Sequence, residues 1–157
     1  MNVDSLYAKE KAVRLTGTGI KSRDLHGCWQ LQTVWSKGDQ TANRFSSWML
    51  RSLKARLKIQ TGFGDTREEL RLTNAVNLGP LELRFQGPGW LKGKRPLLTF
   101  HFNSLSLQVG GVVLLQKGLP APDQKRTPFF ALIERHPDGW KAARGRGGGL
   151  ALWTLKD

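Results

Sequence analysis

Thiols, acids, paired catalytic groups and long apolar runs are all scarce in this sequence, and each shortage removes a class of function. Cys28 is the single cysteine, so no disulfide forms within the chain and the sequence carries no mark of secretion. His26 and Cys28 make an H-x-C pair with no second ligand cluster to complete a metal site. The three histidines, His26, His101 and His136, stand in unrelated contexts, and the neighbouring Glu68 and Glu69 would point apart on a strand. Neither arrangement gives a general acid and base or an activated nucleophile. The best candidate for a membrane span, VGGVVLL from Val109 to Leu115, falls far short of the ~20 residues a membrane-spanning helix needs. The opening MNVDSLYAKEKAVRL has charges where a secretory signal needs an apolar core, and is neither arginine-rich nor acid-poor as organellar transit peptides are.

The shortage of acid leaves the largest signal in the composition. Against 12 acidic residues stand 25 lysines and arginines, a formal net charge of +13, which predicts an anionic partner, either nucleic acid or acidic lipid headgroups. The length of 157 residues and a hydrophobic content of 39% fit one domain with one core.

Residues 3 to 15 place Val3, Leu6, Tyr7, Ala12, Val13 and Leu15 among charges, a helical pattern that Asp4 or Ser5 is expected to cap and that Gly17-Thr18-Gly19 ends. Residues 1–20 therefore read as a helical segment and 21–157 as the main domain. From Gly27 onward period two takes over. Trp29, Leu31 and Thr33 alternate with polar neighbours, as do Leu70 and Leu72, then Leu81, Leu83 and Phe85, then Phe100 and Phe102. The alternation changes phase near Asn103 before Leu105, Leu107 and Val109, which predicts a bulge there. Phe129–Glu134, Trp140–Arg144 and Leu150–Leu155 supply later strands, with His136-Pro137-Asp138-Gly139 a hairpin turn. Roughly eight or nine short strands, punctuated by GPG, PAP and PDG, predict a mainly β, antiparallel, lipocalin-like barrel with a short N-terminal helix. Residues 45 to 59 read as a helical turn running into a strand.

Two glycine-rich stretches resemble phosphate or RNA elements and fail on inspection. In GPGWLKGK, Gly87 to Lys94, the glycine spacing is one residue too long for a phosphate-binding loop, and Arg95 stands where a serine or threonine is required. A hairpin connection is the expectation there. RGRGGG, 144 to 149, occurs once and runs directly into an alternating strand, so it reads as a strand connection. The basic residues gather in two acid-free groups, Arg44, Arg51, Lys54, Arg56 and Lys58 in one and Arg84, Lys92, Lys94, Arg95 and Lys117 in the other. The first is interleaved with Trp48, Met49 and Leu53, as in segments that bury apolar groups beneath lipid headgroups. Trp48, Met49, Arg51, Lys54, Arg56 and Lys58 are accordingly the candidate membrane-surface residues. Nucleic acid is the competing anionic partner.

Large aromatics lie on the strands. In a barrel of about eight strands, Trp29, Phe85, Phe100, Phe102 and Trp153 either fill the interior or line a site for one apolar ligand, and the sequence is compatible with both. They are the candidate ligand-binding residues. Trp29 is expected at the closed end, stacked by Arg144 or Arg146.

The stretch DLHGCWQLQTVWS, Asp24 to Ser36, resembles the entry motif L-x-G-x-W-x-L-x-x-T-x-x-S of the plastid lipid-associated (plastid fibrillin) family. KRPLLTFHFNSLSLQVGG, 94 to 111, is similar to that family's central apolar strand, and Gly139-Trp140 with RGRGGGLALWTL, 144 to 155, to its closing strands. Lys141-Ala142-Ala143-Arg144 stands where the family usually carries an acidic run. The resemblance implies a non-enzymatic, lipocalin-like protein without cofactor. It implies binding of an apolar small molecule or lipid, or of the surface of photosynthetic membranes, in the cytoplasm or on the thylakoid of a cyanobacterium, or in a plastid if the source is eukaryotic. A basic nucleic-acid-binding barrel and a small accessory subunit docking on an acidic protein complex are the alternatives.

Overall fold

The computed structural model describes residues 2–35, 56–61, 69–123, 125 and 127–156. Of the expected membrane-surface residues, Trp48, Met49, Arg51 and Lys54 lie outside them, as does most of the helical turn expected before the second strand.

One helix, α1 (Val3–Thr16), leads the chain. Its cap is Asn2 rather than Asp4 or Ser5: the Asn2 side chain accepts the Ser5 amide at 2.9 Å, so Ser5 is the recipient of the cap. Asp4 in the first turn and Arg14 in the last complement the helix dipole. Gly17 ends the helix at φ 78°, a conformation that disfavours any side chain, while its amide reaches back to the Val13 carbonyl. A 3-10 turn at Ser22–Leu25 then leads into the sheet.

Among the described residues ten antiparallel strands follow: β1 (Gly27–Trp35), β2 (Arg56–Thr61), β3 (Leu70–Leu78), β4 (Leu81–Lys92), β5 (Leu97–Phe100), β6 (Ser104–Val109), β7 (Val112–Gly118), β8 (Phe129–His136), β9 (Trp140–Gly145) and β10 (Leu150–Lys156). Neighbours run β3, β2, β1, β10, β9, β8, β5, β4, and β3 pairs with β4 again. These eight strands close into a barrel-like ring, and β6 and β7 lie outside it. The fold is mainly β with a short N-terminal helix, as the alternation predicts.

The ring closes and the extra hairpin attaches through one long strand. β4 pairs with β3 along one edge, while its other edge is shared: Leu81–Gln86 pair with β6 and Gly89–Lys92 with β5. Two expectations change here. The phase slip near Asn103 is not a bulge but a break between β5 and β6, where the chain crosses from one half of β4 to the other. GPG is not a turn either, because Gly87 and Gly89 lie within β4 and the turn comes at Gly93 to Pro96. A Cβ on Gly87 would overlap the His101 carbonyl, so glycine is what lets the crossing chain pass this close.

The interior holds Trp29, Ile59, Leu72, Leu98, Leu132 and Trp153, all buried, and the 3-10 turn covers one end of it through Leu25. A second, outer cluster joins α1 to the ring, with Leu6 packed on Ile133, Ala142 and Leu150. Beside it, the buried Glu10 carboxylate accepts from Arg144 at 2.6 and 2.5 Å and from Arg95 at 2.9 Å. Arg144 therefore points outward, where it lies over Tyr7 rather than Trp29. The hydrogen bonds from Arg144, with the surrounding positive charge, hold the Glu10 pKa below the usual carboxylate value despite burial. Glu10→Gln is expected to cost about 2 kcal/mol, short of a fully buried pair because the arginines keep partial solvent contact. The lowered pKa means this contribution is complete above the unfolded carboxylate pKa and fades as pH falls through the folded one. Urea denaturation of both proteins at pH 7 and at pH 3 checks it, with the difference between them shrinking at the lower pH.

Candidate functional site

The five candidate ligand residues come together as one aromatic run along the interior. The Trp153 ring meets Phe130 edge-on at 5.1 Å, Phe130 stacks on Phe100 at 5.5 Å, and Phe102 lies 5.7 Å from both Phe100 and Phe85. Such separations are direct ring contacts. At the covered end Trp29 donates its indole N–H to the Leu25 carbonyl at 2.8 Å. The Trp29 and Trp153 rings are joined through Lys141, whose ammonium nitrogen lies 4.4 Å from one ring centre and 5.1 Å from the other. Trp29, Trp153, Phe130 and Phe100 are buried, whereas Phe85 and Phe102 are half-buried. The covered half is thus buried, and among the described residues the run becomes half-exposed at its Phe85 end.

Trp29 is stacked, as expected, by cations, but by different ones. Arg135 of β8 sits 5.0 Å from its ring and Lys141 of β9 on the same indole, in place of Arg144 or Arg146. The reason is strand parity: Arg135 pairs with Lys141 in register and both face inward, while Arg144 faces out to Glu10 and Arg146 donates to the Thr127 carbonyl. Lys141 and Phe130 are the interior residues that sequence reasoning missed. Lys141 is two residues from the inward-facing Ala143, so period two alone places it inside.

Beyond Phe85, the first half of β4 forms a four-stranded extension with β3, β6 and β7, and register gives its faces. Leu72 is in the core, so Asn74, Val76 and Leu78 continue the inward face of β3. Across the sheet, Val76 is aligned with Leu83, Leu107 and Leu115, and Leu78 with Leu81, Val109 and Val112. The other face carries Asn77, Glu82, Gln108 and Val113, then Ala75, Arg84, Ser106 and Gln116, and so is mostly polar. The apolar side is therefore the one continuous with the ring interior. It is also open: Leu78, Val112 and Leu115 are 57, 63 and 54% exposed. At its base, in register with Phe85, the buried Asn74 amide oxygen has no partner among the described residues, a group that burial normally leaves bonded.

Cations stand around this arrangement unevenly. Lys117, in register with Leu105, is exposed at the edge of the apolar face, and Arg56 and Lys58 are exposed on β2. Lys92 and Lys94 are exposed as well. Arg95 is occupied by Glu10 and Arg84 by Glu82 at 2.6 Å, so the second basic group offers fewer available charges than its sequence promises. Among the described residues no three histidine, cysteine or acidic side chains converge on a metal position, and no helix is long and apolar enough to cross a membrane. The chain matches no protein-family model, no curated protein and no solved structure.

Proposed function

We propose that this chain is a non-enzymatic binding protein that takes an apolar, acyl-chain-like ligand against the inner face of the β3–β4–β6–β7 extension, at an anionic membrane surface. The observation that carries the reading is the apolar face itself, which leaves the ring interior at Phe85 and runs past the half-buried Leu83 and Leu107 to the exposed Leu115 and Val112. An open apolar face of this kind costs solubility unless something covers it. The unpartnered Asn74 oxygen gives the ligand a polar anchor with a donor, such as a hydroxyl. The net charge of +13 favours anionic lipid as the source, and the motifs resembling the plastid lipid-associated family support the photosynthetic membrane as its setting. Nucleic acid, the competing partner, rests on the charge alone.

Titration with a fluorescent fatty acid and flotation with anionic vesicles test the reading together. Leu107→Glu places a charge on the apolar face and Gln108→Glu places the same charge on the polar one. Leu107→Glu is expected to weaken fatty-acid binding about tenfold or more, the order of one buried leucine, and Gln108→Glu to leave it within about twofold. Equal effects of the two, or tight binding of single-stranded RNA with none to vesicles, would contradict the reading.

A further inference from the structure

Every strand but one has a neighbour on both sides. β7 pairs with β6 alone, so among the described residues its outer edge is bare. Alternate residues of an antiparallel strand direct their amide and carbonyl away from the neighbour they pair with, and no described residue pairs with those of β7. The whole strand is exposed, Val113 at 50% and Leu114 at 59%. Exposed edges are ordinarily blocked by a charge, a proline or a covering element. Val112 to Gln116 carries neither charge nor proline, and no lysine, arginine, aspartate or glutamate stands anywhere between Arg95 and Lys117. The one interruption is a bulge at Leu114, which β6 leaves unmatched between Val113 and Leu115.

We infer that the β7 edge pairs with β7 of a second copy of this chain, antiparallel about a two-fold axis, so that the extensions of the two copies become one sheet. The strand requires a neighbour that is uncharged and apolar on both faces, because Val112 and Leu115 lie on the inner face while Val113, in register with Gln108, lies on the other. β7 meets that requirement itself, and antiparallel pairing of identical strands is self-complementary. An acidic peptide fits less well, since Lys117 is the only charged residue that β6 and β7 offer it.

The distribution of charge points the same way. Two copies at a formal +13 each repel one another, so an approach free of lysine and arginine is the one with least opposition. The antiparallel arrangement sends each Lys117 toward the Gly110-Gly111 turn of the other copy, and the two like charges stand at opposite ends of the contact. A two-fold axis between antiparallel strands is perpendicular to the sheet, which keeps the inner faces of both copies on one side. Val112 and Leu115 of each copy then form a single apolar floor. The pairing goes beyond the acyl-binding reading and does not rest on it, because it is made by the strand edge and not by the face.

The test is sedimentation velocity of the lipid-free full chain at about 1–200 μM, where a contact of modest area associates, joined to amide hydrogen exchange on the same samples. A dimer is expected, and it should tighten as salt rises from about 0.1 to 1 M, because screening relieves the repulsion. Amides of β7 are expected to exchange at least about tenfold more slowly in the dimer than in dilute monomer. Val113→Lys, which charges the edge from the face away from Leu107, is expected to weaken the dimer about tenfold or more and to leave fatty-acid binding within about twofold. Leu107→Glu is expected to do the reverse. Circular dichroism checks that the ring, which β7 does not enter, is intact in both variants. A wild type monomeric throughout, a dimer equally tight in Val113→Lys, or β7 amides that gain no protection with concentration would each overturn the pairing. A dimer lost in Leu107→Glu but kept in Val113→Lys would also overturn it, since the copies would then meet through their faces. Absence of fatty-acid binding beside a salt-strengthened, Val113-dependent dimer would overturn the acyl reading alone.

Discussion

Trp29→Ala is expected to remove about 3–5 kcal/mol of folding stability, the usual cost of truncating a large buried aromatic. Trp29 is fully buried, and its indole N–H serves the Leu25 carbonyl in the turn that covers the end of the ring. Truncation leaves a cavity between β1 and β9, an unpaired carbonyl beneath it, and two cations without the ring face on which Arg135 and Lys141 rest. Trp29→Phe separates the terms. It keeps most of the apolar contact and loses the hydrogen bond, so about 1–2 kcal/mol is expected. Urea denaturation of the three proteins checks both values, and a near-neutral Trp29→Ala would place the residue outside the core.

Lys141→Met is expected to act in the opposite direction, raising stability by about 2–4 kcal/mol at pH 7, as replacement of buried charge by apolar groups often does. Lys141 has a folded pKa of about 7 against an ordinary 10.5. Between those values the unfolded chain holds a proton that the folded one has released, so wild-type stability rises with pH across that window. Below pH 7 both states hold the proton, the penalty is complete, and this residue adds no slope. Methionine fills the same space, removes the penalty and flattens the rise, at the loss of cation contacts worth about 1 kcal/mol to Trp29 and Trp153. Denaturation at pH 7 and pH 9 measures it. A destabilised Lys141→Met, or wild-type stability unchanged between the two pH values, would show that the amine is not held neutral by burial.

The strands themselves were legible because each alternates on its own. Leu81, Leu83 and Phe85 declare one face of β4, and Leu105, Leu107 and Val109 one face of β6, from period two alone. That the faces join was not legible. It depends on β4 being shared between β5 and β6, and the signal for that sharing, two glycines in the middle of a strand, reads locally as a turn. Glu10 gives no local signal either, because Arg144 lies 134 residues away in sequence and a glutamate on a helix among lysines reads as solvated. Lys141 had a usable signal in its parity with Ala143, but a lysine beside a turn is ordinarily placed outside. The aromatic residues were the most legible part of the site. Alternation located Trp29, Phe85, Phe100 and Trp153 on inward faces, whereas Phe102, expected on a strand, lies in the crossing between β5 and β6, and alternation could not separate the buried end of the run from the half-exposed one.

If the apolar face beyond Phe85 holds an acyl-chain ligand, mass spectrometry of organic extracts detects it directly. Protein purified gently from its native source, beside the Leu107→Glu and Gln108→Glu variants expressed in the same cells, would be extracted and the lipid quantified per chain. One class of acyl lipid is expected in fixed ratio with wild type and with Gln108→Glu, and its loss is expected from Leu107→Glu. Extracts empty of lipid from wild type, or lipid retained equally by both variants, would contradict acyl binding at this face.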